Sequence, residues 1–240
     1  MIEPAQQFRD VNLTADPWQV QALGSESRKI LLCCSRQVGK SEVAAALVLK
    51  TALLEYPALI LVLSASERQS TEFFRDKILR QYQALGKPEA ITHQTQTSME
   101  LANGSRIIAL PDNEKTIRVY ANVAMIVIDE AARVSDDLYN AVRPMLAVSN
   151  GRLIALSTPF GKRGWFYESW EHGAEWERYR VPAAMCPRLS PAFLAEERTA
   201  LGERWYRQEY DTSFEDAIDA VFAQADIDAL LDPDARPLWS

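Results

Sequence analysis

Four short apolar runs, each closed by small polar or acidic residues, set the rhythm of the chain. They are 28–34, leading into Ser35; Ala58-Leu59-Ile60-Leu61-Val62-Leu63-Ser64; Ala124-Met125-Ile126-Val127-Ile128-Asp129-Glu130; and Arg152-Leu153-Ile154-Ala155-Leu156, closed by Ser157-Thr158-Pro159. Unbroken runs this short predict strands covered on both faces, as in a parallel sheet. Between them the spacing turns helical. An alanine-rich pattern occupies 42–55, and another helix is expected near 135–148. An amphipathic stretch (Phe73, Phe74, Ile78, Leu79) follows Ser66 and Gln69, a capping pair, and runs to about Gln81. Strand–helix alternation of this kind predicts an α/β fold with a mainly parallel central sheet flanked by helices.

The interval 86–120 breaks that rhythm. Short alternating segments, Ser98–Leu101 and Arg106–Leu110, flank Asn103-Gly104, a strong hairpin turn, and predict an antiparallel hairpin inserted between the parallel strands. Beyond the fourth run, a short helix is expected at 165–172 and an edge strand at Trp176–Val181. From Pro191 the chain reads as helical and charge-rich, over Ala192–Leu201 and Gly202–Tyr210. Phe214 to Leu231 reads as a connection, and 232–237 is turn-rich. The organisation expected is an N-terminal segment 1–27, a core 28–185, and a small helical subdomain or linker 186–240.

Composition adds limits. The 240 residues are 48% hydrophobic and 25% charged, with no low-complexity tract, so one substantial core is expected. A formal net charge of −7 argues against a surface coated for nucleic acid, while leaving room for a local basic patch. Cys33, Cys34 and Cys186 form no disulfide framework, and His93 and His172 are isolated. No apolar run approaches 18 residues and no signal-peptide pattern opens the chain, so a reducing, cytosolic setting away from membranes is expected.

The chemistry concentrates at the ends of the strands. Cys34-Ser35-Arg36-Gln37-Val38-Gly39-Lys40-Ser41 lies between a strand and a helix, the context of a phosphate loop. There the backbone N–H groups of Ser35 to Gly39 and the helix N-terminus would face phosphate, Lys40 would reach the β/γ-phosphates, and the Ser41 hydroxyl would sit on Mg²⁺. The usual pattern starts with glycine where this chain has Cys34, and a capped surface helix would carry the same Gly-Lys-Ser. Asp129-Glu130 places carboxylates at the C-terminal edge of a central strand, where open α/β sheets bind ligands. Asp129 would join the Mg²⁺ shell and Glu130 would orient and polarise water, unless the strand simply ends on charged loop residues. The hydroxyls of Ser157 and Thr158 suit contact with a γ-phosphate. Gln19, in Pro17-Trp18-Gln19, has an amide able to pair with an adenine edge. The loop Phe160–Phe166 is basic, with aromatic neighbours, and reads equally as solvated or as touching nucleic acid.

Together these residues resemble the ATPase domain of the large terminase subunit, the DNA-packaging motor of tailed bacteriophages and prophages. Ser35–Ser41 looks like that family's deviant phosphate loop, with Arg-Gln ahead of Gly-Lys, and Ile128-Asp129-Glu130-Ala131-Ala132 looks like its Walker B strand with the catalytic glutamate. Ser157-Thr158-Pro159 is similar to its coupling motif and Pro17-Trp18-Gln19 to its adenine-reading segment. Arg207-Gln208-Glu209-Tyr210 with Phe214-Glu215 and Val221-Phe222 looks like the stretch that leads towards a nuclease domain. The resemblance implies a P-loop NTPase core of RecA type, ATP hydrolysis with Mg²⁺, and a ring of subunits on a portal in the host cytoplasm, with double-stranded DNA and a small terminase subunit as further partners. An isolated copy would be a monomer. It also implies that Arg36 senses or stabilises the γ-phosphate and that Thr158 couples hydrolysis to movement. An arginine from a neighbouring copy would complete the site, with Arg75, Arg80, Arg106 and Arg118 all open as candidates. Double-stranded DNA binding is expected to be weak, salt-sensitive and sequence-independent.

The family's full-length members resemble a two-part enzyme with a nuclease after the ATPase, and this sequence stops at Ser240. Asp226, Asp228, Asp232 and Asp234 lie too close together for a two-metal cage, so no nuclease activity is expected. Two other classes stand beside the motor: a helicase-like DNA-remodelling ATPase, which needs a second core domain or strand-separating element, and a nucleotide-gated assembly module without turnover, against which Glu130 argues.

Overall fold

A computed structural model describes residues 14–112 and 117–216. Within them eight strands form one sheet, β1 (Lys29–Cys34), β2 (Leu59–Ser64), β3 (Ile91–Gln94), β4 (Ser98–Leu101), β5 (Arg106–Pro111), β6 (Met125–Asp129), β7 (Arg152–Ser157) and β8 (Glu177–Val181). Their spatial order is β3-β4-β5-β2-β6-β7-β1-β8. Every pairing from β5 to β8 is parallel, while β3–β4 and β4–β5 are antiparallel. The hairpin is thus inserted in sequence but not in space. It extends one edge of the sheet, where β5 pairs in parallel with β2 from Leu59↔Arg106 to Ser64↔Pro111. The expected strand at 176–181 forms the opposite edge.

The helices are α1 (Pro17–Gly24), α2 (Lys40–Leu54), α3 (Glu67–Phe73), α4 (Arg80–Ala84), α5 (Asp136–Ala147), α6 (Gly164–Glu171), α7 (Pro191–Leu201) and α8 (Glu203–Glu209). Hydroxyls start three of them. Ser66 accepts from the Gln69 N–H, Ser135 from Leu138 and Ser190 from Phe193, each satisfying a donor the helix leaves orphaned. The single helix expected after Ser66 is longer and composite, because a π-helical segment, Phe74–Leu79, joins α3 to α4. The alanine-rich helix begins two residues earlier than its periodicity indicates, at Lys40, directly after the loop.

Both faces of the sheet are covered, as the unbroken apolar runs require. Alternate strand residues such as Ile30, Leu32, Ile60, Val62, Val127 and Ile154 pack with α1, α2 and the π-helical segment. Their neighbours, among them Leu31, Leu61, Ile126, Ile128 and Ala155, pack against residues of α5 and α6. Small side chains along α2, Val43 to Leu49, are wholly buried, which brings that helix close to the sheet. Tyr206 and Tyr210, at the end of the chain's described part, form a separate small cluster with Ala183, flanked by Leu189, Phe193 and Leu194. No helix among the described residues is long and apolar enough to cross a membrane. Asp226, Asp228, Asp232 and Asp234, and most of the connection from Phe214 to Leu231, lie outside the described residues.

Candidate active site

The site lies at the C-terminal tips of β1, β7 and β6, which are adjacent in that order. Cys34 is the last residue of β1 and pairs with Val181 of β8. Its extended backbone has no need of glycine, and its side chain is fully buried in the core. This explains how the first glycine of the usual pattern is dispensable here. Burial pushes the Cys33 thiol up to about 12 and Cys34 higher still, so both behave as small apolar groups. The turn itself is made further on, with left-handed backbone at Gln37 (φ 59°) and Gly39 (φ 90°). A Cβ on Gly39 would come within 2.6 Å of the Gln19 amide nitrogen, so this glycine is required twice, for its conformation and for its contact.

Lys40 opens α2 with its side chain largely shielded, and its Nζ lies 4.0 Å from Glu130 Oε1. Asp129 ends β6, and its Oδ1 accepts the Glu130 N–H at 3.1 Å. Burial, reinforced by the Glu130 charge and opposed by Lys40, raises the Asp129 pKa to about 6. Glu130 itself has left-handed backbone (φ 51°), which turns the chain sharply off the strand. Thr158 follows β7 and is buried, and Ser157 buries a hydroxyl without a hydrogen-bond partner. An orphaned hydroxyl at the strand tip between Lys40 and Asp129 is a donor awaiting an acceptor.

Beside the loop opens a cleft of about 610 Å³, lined by Thr14, Asp16, Gln19, Gln37, Gly39, Lys40, Ser41, Glu42, Lys77, Pro187 and Arg188. Its volume falls in the range that holds a small organic ligand. Gln19, Gln37, Gly39, Lys40 and Ser41 are thereby gathered at one opening. Ser35 and Val38 are buried beneath it.

Two of the expected residues are committed elsewhere. The Gln19 amide is engaged at both ends: its Oε1 accepts from the Asp16 N–H at 2.8 Å and its Nε2 donates to the Val38 carbonyl at 3.3 Å. As placed, it braces the loop. The Arg36 guanidinium points away from the cleft to Glu209, Nε to Oε2 at 2.7 Å. Of the four candidate trans arginines, Arg75 pairs with Asp76, Arg80 with Glu42 and Arg106 with Glu100, while Arg118 is exposed in the turn before β6.

Several participants carry no local signal in the sequence. Arg188 forms a bidentate pair with Asp16, at 3.0 and 2.7 Å, and also donates to the Val38 carbonyl at 3.4 Å. Glu42 collects Lys77, Arg80 and Gln81 from the composite helix, at 2.8, 2.6 and 2.7 Å. Arg133 reaches Glu130, Thr158 and Glu209. Burial works to raise the Glu209 pKa, but hydrogen bonding and charge from Arg36, with Gln208 and Arg133 adding to them, hold it below the usual carboxylate range.

Residues 31–229 match the family model described as terminase large subunit, T4likevirus-type, N-terminal. The chain belongs to that family. Among solved structures, this terminase chain is similar to the large terminase ATPase domain of Thermus phage P74-26, with a TM-score of 0.76 at 18% identity, covering 90% of this chain and 100% of that one. It is also similar to the large terminase of another thermophilic bacteriophage, solved in complex with ADP (TM-score 0.68, 12% identity, 83% of this chain and 53% of that one). The large terminase of bacteriophage HK97 gives a TM-score of 0.65 at 16% identity, over 83% of this chain and 50% of that one. This terminase chain therefore spans about half the length of the latter two proteins. At these identities the likeness is one of fold, the RecA-like P-loop fold. A search among curated proteins found no match.

Proposed function

We propose that this chain is the ATP-hydrolysing motor domain of a viral DNA-packaging terminase, acting with Mg²⁺ to drive double-stranded DNA into a procapsid. One observation carries the reading: Lys40, at the mouth of the loop, lies 4.0 Å from the Glu130 carboxylate at the tip of β6. Solved complexes of one thermophilic phage's large terminase with ADP and with ATP-gamma-S support a nucleotide as the ligand of such a fold.

Loop N–H groups and Lys40 would bind the β- and γ-phosphates, with Lys40 exchanging its distant contact with Glu130 for phosphate oxygen. Ser41 and Asp129 fit Mg²⁺ as hard oxygen donors, few in number, suited to an ion that takes its remaining ligands from phosphate and water. A cation there would offset the cost that burial imposes on the charged Asp129. Bound Mg²⁺ supplies neutralisation of the charge that develops on the phosphate oxygens. Glu130 orients a water molecule in line with the γ-phosphorus and accepts its proton. The water oxygen bonds to that phosphorus as the bond to the β,γ-bridging oxygen breaks, leaving ADP and phosphate. Thr158 contacts the γ-phosphate and passes its presence or loss to the rest of the chain. Arg36 reaches the γ-phosphate only by leaving Glu209, and Gln19 reads an adenine edge only by giving up one of its two present bonds. Ring assembly, a portal and small-subunit partner, an arginine supplied by a neighbouring copy, and work in the host cytoplasm belong to the same proposal.

The test is ATP binding and hydrolysis by the wild type and by Lys40→Ala, with and without double-stranded DNA. Binding lost in the variant, together with even slow hydrolysis by the wild type, supports the site. A wild-type chain that binds no nucleotide overturns it. A helicase-like role is not favoured by the family match, and a module without turnover is not favoured by a carboxylate held beside Lys40.

A further inference from the structure

We propose that Arg133 is a positioning residue that sets the orientation of the Glu130 carboxylate and ties it to the tip of β7 and the end of α8. The proposal rests on the reading of Glu130 as the group that prepares the attacking water.

Arg133 lies on the turn after β6, and its guanidinium meets acceptors from three elements. Nη1 donates to Glu130 Oε2 at 2.9 Å and to Thr158 Oγ1 at 3.4 Å, and Nη2 donates to Glu209 Oε1 at 3.5 Å. Its planar group also lies 4.7 Å from the centre of the Phe160 ring, which fixes the plane of the fork. Glu209 is itself anchored, because its side chain is 6% exposed and its other oxygen takes the Arg36 Nε at 2.7 Å. The ends of β6 and β7, the phosphate loop and α8 therefore meet through two arginines and one buried carboxylate.

The chemistry needs such a joint. Glu130 is 30% exposed on a sharp turn, and a free glutamate there would sample several rotamers, only some of which aim an oxygen at water. Arg133 takes Oε2, while Lys40 is the distant partner of Oε1. Once Lys40 turns to phosphate, Oε1 is released and Oε2 stays held, so one carboxylate oxygen is free in a defined direction. Lysine would not replace Arg133, because a point charge on a flexible stem does not span three acceptors in one plane. The same guanidinium touches Thr158, so the orientation of Glu130 is linked to a residue placed to feel the γ-phosphate.

Single-turnover hydrolysis of bound ATP, the affinity of a fluorescent ATP analogue and thermal unfolding are measured for the wild type, Arg133→Ala, Arg133→Lys, Glu130→Gln and the Arg133→Ala/Glu130→Gln double variant. Arg133→Ala is expected to slow hydrolysis about 10²-fold, the scale of a misplaced reacting group, with nucleotide affinity and folding retained. Arg133→Lys is expected to recover only a small part of that loss. In the Glu130→Gln background, Arg133→Ala is expected to cost almost nothing more, because the two residues act as one unit. Arg133→Ala hydrolysing within about threefold of wild type, losing nucleotide affinity, or costing its full factor on top of Glu130→Gln overturns the proposal. Wild-type turnover by Glu130→Gln overturns the reading of Glu130, and the role of Arg133 falls with it.

Discussion

The phosphate loop and the Glu130 turn flank the tip of β7 and are built in opposite ways. The loop is a backbone device: two left-handed residues, one indispensable glycine and a helix start, all within a few consecutive positions. Its side chains are largely free to vary, as Cys34 in place of glycine illustrates. The Glu130 turn is a side-chain device. Its geometry depends on Arg133, Thr158, Glu209 and Lys40, drawn from four places in the chain. A backbone site tolerates sequence drift as long as its turn survives, whereas a side-chain site fails when any one member of the set is lost.

The sharpest way to break this comparison is to attack each half where it is least replaceable. Lys40→Ala is expected to abolish detectable binding of a fluorescent ATP analogue. Glu130→Gln is expected to keep binding and lower hydrolysis by about 10²–10⁴-fold, the usual worth of positioned proton transfer, as read by phosphate release.

The carboxylate beside Glu130 sharpens the same contrast through stability. The Asp129 pKa is about 6 in the folded chain against an ordinary 3.8, so the folded form holds a proton that the unfolded form has released. Without metal or nucleotide, this penalises the fold increasingly as pH rises from about 4 to 6, reaches its full value above that, and vanishes below about 4. Asp129→Asn is therefore expected to stabilise the ligand-free chain at pH 7 by roughly 2–3 kcal/mol in urea unfolding, with no gain at pH 3.5. Equal gains at both pH values would show that the cost has another origin.

On the loop side, Cys34→Gly restores the usual glycine. It is expected to destabilise the chain by about 2 kcal/mol, from lost burial and added backbone freedom in a strand, without tightening nucleotide binding. Tighter binding would mean that the position belongs to the phosphate cradle after all. The smallest effect is expected far from both, at the sheet edge. The Arg106–Glu100 pair is about half exposed on both sides, so Arg106→Ala should change stability by less than about 1 kcal/mol.

The same division governs what the sequence discloses. Strands, the hairpin, the loop and the Asp129-Glu130 edge are legible because each is encoded by neighbours in the chain, through periodicity, turn chemistry or an apolar run ending in acids. The hairpin's place at the edge is not, since pairing β5 with β2 depends on which flank of the sheet is open. Arg133, Glu209, Asp16 and Arg188 are illegible for a related reason. Each looks like an ordinary surface charge until folding brings its partners together, as with Asp16 and Arg188, which are remote in sequence and joined by two hydrogen bonds. Gln19 shows the limit from the other side. Its presence beside the loop is readable, but the commitment of its amide to Asp16 and Val38 is a product of packing.

The three thiols carry a practical consequence. Cys33, Cys34 and Cys186 are the chain's only cysteines and all are buried, with the two strand thiols held firmly protonated. The natural chain is thus close to a silent background for maleimide labelling. A single Val148→Cys substitution, at a side chain 86% exposed just after α5, would place one dye on the folded protein without first stripping out any cysteine.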